Sequence, residues 1–418
     1  SPWMLLAAFA LGGLITLFGA LCYAELSTAY PREGGDYVFL TRALGRRTGF
    51  LFAWSEFWIV RPGNIGAMAF VFARYASELL PLRGDSRDLL IYALGSVLLL
   101  TVVNVLGVQT GKWTQNVLTV LKVAGVLAVF AIGLWLIASE TPAPKPTSQP
   151  WDGGFRLAMI LVLFTYGGWN EMSYVAAEVR RPRRNIFRAL MLGALAVTIV
   201  YMLVNIAFIG ALGFQGVRDS QALASDVLRI PFGEGGAKAI SLLICLSCLG
   251  AINGMIFTGA RVYYALGTEH RWYAWLGRWH SRLQTPLRAL VLQGIVTMLL
   301  VAGFFAAAGE NSFSALVEFT APLFWFFLLL VGLSFFVLRE RDRTIRRPYR
   351  VPLYPITPIV FLQSLQFMLY AAVTYAMWQN LGLRPWYTHF ESLWPAGVML
   401  LGLALSFFDP PLEVQSDE

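Results

Sequence analysis

The chain has 418 residues, of which 57% are hydrophobic and 13% charged, and its mean hydropathy is +0.62. That balance excludes a water-soluble domain, because apolar runs near the length of a bilayer crossing recur with short polar loops between them. The formal net charge of +8 has its source in arginines gathered in alternate loops, so no nucleic-acid partner is needed to explain it.

Three cysteines give no disulfide framework. Cys245 and Cys248 form a C-x-x-C pair, but inside the apolar run SLLICLSCLGAING, where they read as packing residues. His270, His280 and His389 fall in or beside loops without metal-ligand spacing. No nucleophile, acid or metal set converges, so neither an enzyme nor a cofactor or metal site is expected.

In chain order the candidate spans are residues 3–27, 49–79, 88–106, 113–138, 155–179, 187–213, 237–267, 286–308, 312–338, 355–379 and 391–408. The fold class is therefore an all-α polytopic membrane protein. Arginine marks every second loop. Arg32, Arg42, Arg46 and Arg47 follow the first span, and Arg180, Arg181, Arg183, Arg184 and Arg188 follow the fifth. Arg271, Arg278, Arg282 and Arg288 follow the seventh, and six arginines between Arg339 and Arg350 follow the ninth. Positive charge stays on the cytoplasmic side of a membrane, which places these loops and the C-terminal tail inside and Ser1 outside.

Two spans carry charge at depth. Arg61 sits inside the second, beside Pro62 and Gly63, which loosen a helix locally. Lys122 lies near the middle of the fourth, about 15 Å in at 1.5 Å per residue. A lysine at that depth costs about 2.5–3.5 kcal/mol, so it pairs with carbonyls or a carboxylate, or sheds its proton. Either a fixed tether or a titrating group satisfies that demand.

The fifth span reads FRLAMILVLFTYGGWNEMSYVAAEVRRP from Phe155 to Pro182, with Gly167 and Gly168 adjacent at its centre. Paired glycines leave the backbone loose and bare. Unwound backbone survives in hydrocarbon only where it lines a protein cavity, and two half-helix ends there hold the charged ends of a zwitterion. A tight packing site or a mild kink is the plainer alternative. Glu318 opens the ninth span, about 9 Å from its outer end, where it either pairs with a cation or stands solvated in a vestibule. Glu25 and Glu178 sit among arginines at cytoplasmic ends, as inner-gate bridges or solvated charges.

The runs GALCYAELSTAYPREGGDYVFL (19–40), WIVRPGNIGAMAFVFARY (58–75), FTYGGWNEMSYVAAEVRRPRRN (164–185), LSCLGAINGMIFTGARVYYA (246–265) and RRPYRVPLYPITP (346–358) resemble L-type amino acid transporters. These form the light-subunit-like branch of the amino acid–polyamine–organocation superfamily. The resemblance implies a leucine-transporter-like inverted-repeat fold of twelve helices, eleven of them present here. An odd span count agrees with a start just after the family's first helix, so the Gly-Ser-Gly-type loop that receives the substrate carboxylate is expected to be missing. Residues 1–138 would be the remainder of the first repeat, 155–338 the second repeat, and 355–408 two extra C-terminal helices.

The same resemblance assigns roles. The carbonyls of Phe164, Thr165 and Tyr166 would accept the substrate ammonium, whose three donors suit them, with the Phe164 ring closing over the substrate. Gly167 and Gly168 would leave room, and Asn170 would bond the substrate or pin the loop. Trp169 is either pocket wall or structural indole. Trp325 would lie near the substrate side chain, and Asn253 and Gly254 where the family's eighth helix passes the site. Lys122 would stand where other members bind sodium, near Ser247, and Arg61 would act in a gating or structural ion pair. The implied activity is sodium-independent transport of L-α-amino acids, neutral ones from the aromatic pocket, by exchange. Proton-coupled uptake through Lys122, a non-transporting sensor, and an inactive truncated fragment are the alternatives. The loop ELLPLRGDSRD lacks the cysteine through which animal relatives hold a heavy chain, so no disulfide-linked partner is expected. The membrane is expected to be a bacterial plasma (inner) membrane.

Overall fold

A computed structural model describes residues 2–139, 159, 162–163, 165–219, 223–381 and 390–408. Among these residues the chain is helical throughout, with no strand beyond an isolated bridge between His280 and Thr285. The order is α1 (Pro2–Ala29), α2 (Asp36–Leu44), α3 (Arg46–Ser55), a π-helical turn (Glu56–Val60), α4 (Arg61–Leu79), α5 (Arg87–Val105) and α6 (Val108–Ala138). A 3-10 segment (Trp169–Glu178) comes next, then α7 (Pro182–Asp219), α8 (Leu223–Glu269), α9 (Leu287–Ala308), α10 (Ser312–Arg341), α11 (Ile356–Leu381) and α12 (Phe390–Phe408).

Among the described residues, seven helical stretches are long and apolar enough to cross a membrane. The α3–α4 segment is not among them, because Arg46, Arg47, Glu56, Arg61, Arg74 and Glu78 interrupt its apolar run. Large apolar side chains such as Leu98, Leu99, Val120, Leu192 and Leu299 are exposed on the outer surface. In water that would be an aggregation surface; on a membrane protein it is the lipid face.

The helices meet through small residues, as expected where lipid removes the hydrophobic drive and close backbone approach supplies the attraction. On α1, a Cβ at Gly13 would stand 2.3 Å from Thr198 of α7, and one at Gly19 would stand 2.7 Å from the Trp169 ring. On α6, a Cβ at Gly133 would meet Ala207 of α7 at 2.6 Å. Helix α4 packs against α5, α8, α9 and α10, which form a layer around it. Helix α12 lies against α3, where the Trp54 indole N–H donates to the Val398 carbonyl at 2.8 Å.

Two features depart from the spans expected from sequence. Helices α7 and α8 run past their expected ends and bend at glycines, Gly213 (φ 69°) and Gly233 (φ 56°). The Arg-rich connection after α1 contains helix α2, whose residues Asp36, Tyr37, Phe39 and Leu40 are buried. Nine residues of mixed polarity carry too little periodicity to announce a helix, and burial against the body of the protein stabilises it instead.

Candidate functional site

The helix before the glycine pair reaches Thr165, and the Tyr166 N–H makes a last regular bond to the Val162 carbonyl at 3.1 Å. The backbone then turns. Gly168 adopts φ 90° and ψ −4°, a left-handed conformation that glycine reaches at little cost and other residues do not. From there a tighter 3-10 winding runs to Glu178, itself off helical geometry at Val175 (φ −108°, ψ 18°). The helical run that ends at Thr165 is therefore broken at Gly167–Gly168.

The break opens onto a cavity lined by Gly167, Gly168, Trp169 and Asn170, by Ile15 and Thr16 of α1, by Trp325 of α10 and by Ser364 and Met368 of α11. None of the described lining residues is ionisable. Trp169 is wedged edge-on between Tyr23 (centroids 4.9 Å, 82°) and Phe361 (5.8 Å, 73°), so its indole is both wall and strut. Asn170 is buried and its carbonyl accepts the Ser173 hydroxyl at 2.7 Å. The Thr165 carbonyl accepts the Tyr201 hydroxyl at 3.1 Å, and Tyr166 donates its own hydroxyl to the Phe9 carbonyl at 3.0 Å. Phe164 lies outside the described residues.

Below the break stands a buried ionic cluster that the sequence disclosed only in part. Arg61 Nε donates to Glu56 at 3.0 Å, and its Nη1 spans both oxygens of Glu171 at 2.8 and 3.0 Å. Thr258 of α8 donates to the same Glu171 carboxylate, and the guanidinium lies 5.2 Å from the Tyr174 ring. Glu56 and Arg61 are five residues apart, a spacing that an ordinary α-helix does not bring face to face. The π turn at Glu56–Val60 does so, its i→i+5 bond running from the Arg61 N–H to the Glu56 carbonyl. Glu171, three residues after Gly168, ties the broken segment to α4 and α8. Its signal in the sequence was a lone carboxylate directly after the break.

The remaining expected residues scatter. Asn253 is fully buried away from the cavity, accepting from Asn104 (2.8 Å) and donating to Gln115 (2.8 Å) and to the Gly111 carbonyl (3.3 Å). The α5–α6–α8 contact thus occupies the amide that sequence reasoning pointed at substrate. Gly254, next to it, faces Gln115. Lys122 lies on an exposed face of α6 near Cys248 and makes no ion pair among the described residues. Glu318 is half-buried on the second turn of α10.

The Arg-rich end is closed by further pairs. Glu25, 0% exposed, accepts from the Val351 N–H at 2.7 Å and from Arg347 at 3.4 Å, with Arg339 at 3.7 Å. Glu178 holds Arg261 at 2.8 Å and Lys112 at 3.2 Å. Asp342 accepts from Arg42 and Tyr30, and the Arg42 hydrogen bond holds its carboxyl below the usual range. Glu25 is thus a buried bridge between elements and Glu178 a half-buried one.

A broken helix over an uncharged cavity, with an ion-paired floor, is the architecture of a carrier of small zwitterions. A family model described as amino acid permease matches residues 2–403. The chain is 29% identical to the b(0,+)-type amino acid transporter 1 of Mus musculus over 88% of this chain and 75% of that protein. It is 29% identical to the serine/threonine exchanger SteT of Bacillus subtilis (strain 168) over 88% of this chain and 82% of the other. With the large neutral amino acids transporter small subunit 2 of Mus musculus the identity is 30% over 85% and 67%. The chain belongs to the amino acid permease family, in its L-type branch, and is a multi-pass membrane transporter of amino acids with no enzymatic role.

Proposed function

We propose that this transporter exchanges neutral L-α-amino acids across a bacterial plasma membrane without sodium, by alternating access. The observation that carries the reading is the glycine break lining a cavity without an ionisable wall. An amino acid carries its own two charges, and free backbone at half-helix ends answers them. The aromatic and aliphatic wall of Trp169, Trp325 and Met368 then favours an uncharged side chain, since a charged one would be desolvated without a partner. Movement would consist of the bundle holding α1, the broken segment and α7 rocking against the layer centred on α4. The pairs Glu171–Arg61 and Glu25–Arg347 cross between those bodies. The cysteines are buried in α1 and α8 (Cys22, Cys245 and Cys248), and the loop from Glu78 to Asp88 has none, so the chain is proposed to work without a disulfide-linked heavy chain.

The test is counterflow in proteoliposomes. Labelled serine or leucine should enter only vesicles preloaded with unlabelled neutral amino acid, at a rate unchanged when sodium is replaced by choline. Uptake into empty vesicles driven by a sodium gradient would contradict the reading.

A further inference from the structure

A second, smaller cavity adjoins the substrate cavity, and Phe324 and Leu328 of α10 belong to the walls of both. Its other wall is acidic. Asp36, Glu56 and Tyr174 line it, with Glu171 a short step away through Arg61. Of these three carboxylates, Arg61 serves only Glu56 and Glu171. No basic side chain among the described residues pairs with Asp36.

Asp36 itself is 3% exposed. Its Oδ2 accepts the Tyr174 hydroxyl at 2.9 Å, while Oδ1 is buried with no hydrogen-bond partner. The Tyr23 hydroxyl, from the neighbouring side chain on α1, is also buried without a partner at hydrogen-bond geometry. An ionised carboxylate with one bare oxygen in a dry site is costly. A protonated one turns that bare oxygen into a donor beside an oxygen able to accept, and removes one of three negative charges. The groups around Asp36 are Tyr23 of α1, Glu56 of the π turn, and Glu171 and Tyr174 of the 3-10 segment; behind them stand Arg61 of α4, bound to Glu56 and Glu171, and Tyr263 of α8. Tyr263 donates to the Glu56 carbonyl at 3.1 Å. The dipole at the start of α2 favours the charged form, but no backbone N–H there caps a side chain.

The site is mechanically joined to the broken segment. Gly34 and Gly35, both with positive φ (99° and 48°), press the start of α2 onto it, and the Gly34 N–H donates to the Tyr174 carbonyl at 3.2 Å. A Cβ at Gly35 would come within 2.7 Å of the Ser173 hydroxyl. Any swing of the segment away from α2 therefore uncovers Asp36.

We propose that Asp36 is a proton-binding site of the transport cycle, protonated while Tyr23 and Tyr174 close over it and deprotonated toward the Arg-rich side when the broken segment swings away from α2. The proton comes from bulk water onto Oδ1 and returns to bulk water on the Arg-rich side, so each opening releases one proton and each closing takes one up. Burial pushes the Asp36 carboxyl up to about 7, with Glu56 and Glu171 adding to the rise and the Tyr23 and Tyr174 hydroxyls opposing it. Because the folded value lies above the unfolded one, the closed form holds a proton that the unfolded chain has released. The stability this confers is complete below the ordinary carboxylate range and is lost as pH rises toward 7. The proposal rests on the transport reading above, and its test is chosen to fail separately from it.

Two readouts on the full chain in lipid vesicles decide it. In pH-difference infrared spectra, a protonated-carboxyl band should titrate near pH 7 in the wild type and be absent from Asp36→Asn; Tyr174→Phe, which removes a donor to the carboxylate, should move the titration upward. Neutral amino acid counterflow should fall through the same midpoint in the wild type and be flat with pH in Asp36→Asn. A wild-type protein without such a band, or with the same pH dependence after Asp36→Asn, overturns the proton site. If Asp36→Asn does not fold, the wild-type titration and its shift in Tyr174→Phe still decide. Loss of all amino acid flux at every pH, with the band present, overturns the transport reading and leaves the proton site standing.

Discussion

Arg61→Ala is expected to lower stability by about 3–5 kcal/mol, the cost of breaking a buried ion pair and leaving its acids uncompensated, and to abolish exchange. The guanidinium is 4% exposed and serves two carboxylates at once, through Nε to Glu56 and Nη1 to Glu171. Without it, Asp36, Glu56 and Glu171 face one another with no cation between them. Arg61→Lys should rescue little, because a single ammonium cannot reproduce a two-edged fork. The control is Arg61→Met combined with Glu56→Gln and Glu171→Gln, which removes the charges together. It should regain most of the stability while exchange stays lost, since the bridge from the broken segment to α4 is gone. Thermal unfolding in detergent and counterflow read the two effects separately. A single alanine variant as stable as the wild type would show that water, not protein, is solvating this cluster.

Glu25→Ala is expected to be nearly as severe, at about 3 kcal/mol or more by the same physics, and to loosen the Arg-rich end. Glu25 sits near the end of α1 and gathers Arg339 from the last turn of α10 and Arg347 and the Val351 N–H from the α10–α11 connection. Removing it leaves Arg347, itself well buried, leaning on the Leu338 carbonyl at 2.8 Å. Glu25→Gln should recover the bond to Val351 but not the charge balance. Cys22, one helical turn earlier and 1% exposed, reports opening directly. Its alkylation by a small maleimide should be slow in the wild type, intermediate in the glutamine variant and fast in the alanine variant. Equal rates in all three would mean that this clamp does not hold the end shut.

The contrast between what the sequence shows and what it hides depends on where each property resides. The glycine break was legible because it belongs to the chain itself: two adjacent residues without side chains, in an apolar run. The alternation of arginines was legible because the membrane reads it loop by loop. The Glu56–Arg61 pair was not, since it depends on a π turn that no residue pattern announces. Asn253 illustrates the converse. A polar residue within an apolar helix reads alike whether it faces a cavity or another helix, and only the rotation of α8 against α5 and α6 settles which. Asp36 was hidden by helix α2, whose existence depends on tertiary burial more than on its own nine residues.

The most direct measurement is substrate protection of a cysteine placed at the break. Gly167 is exposed and borders the cavity, whereas Cys22, Cys245 and Cys248 are buried, so Gly167→Cys should be the fast-reacting thiol. With a neutral L-amino acid at about ten times its Kd, labelling by a small hydrophilic reagent should slow about tenfold by mass action. The matching amine and the matching carboxylic acid, each lacking one of the two charges, should protect weakly. Labelling at the same rate with and without amino acid would contradict substrate binding at Gly167–Gly168.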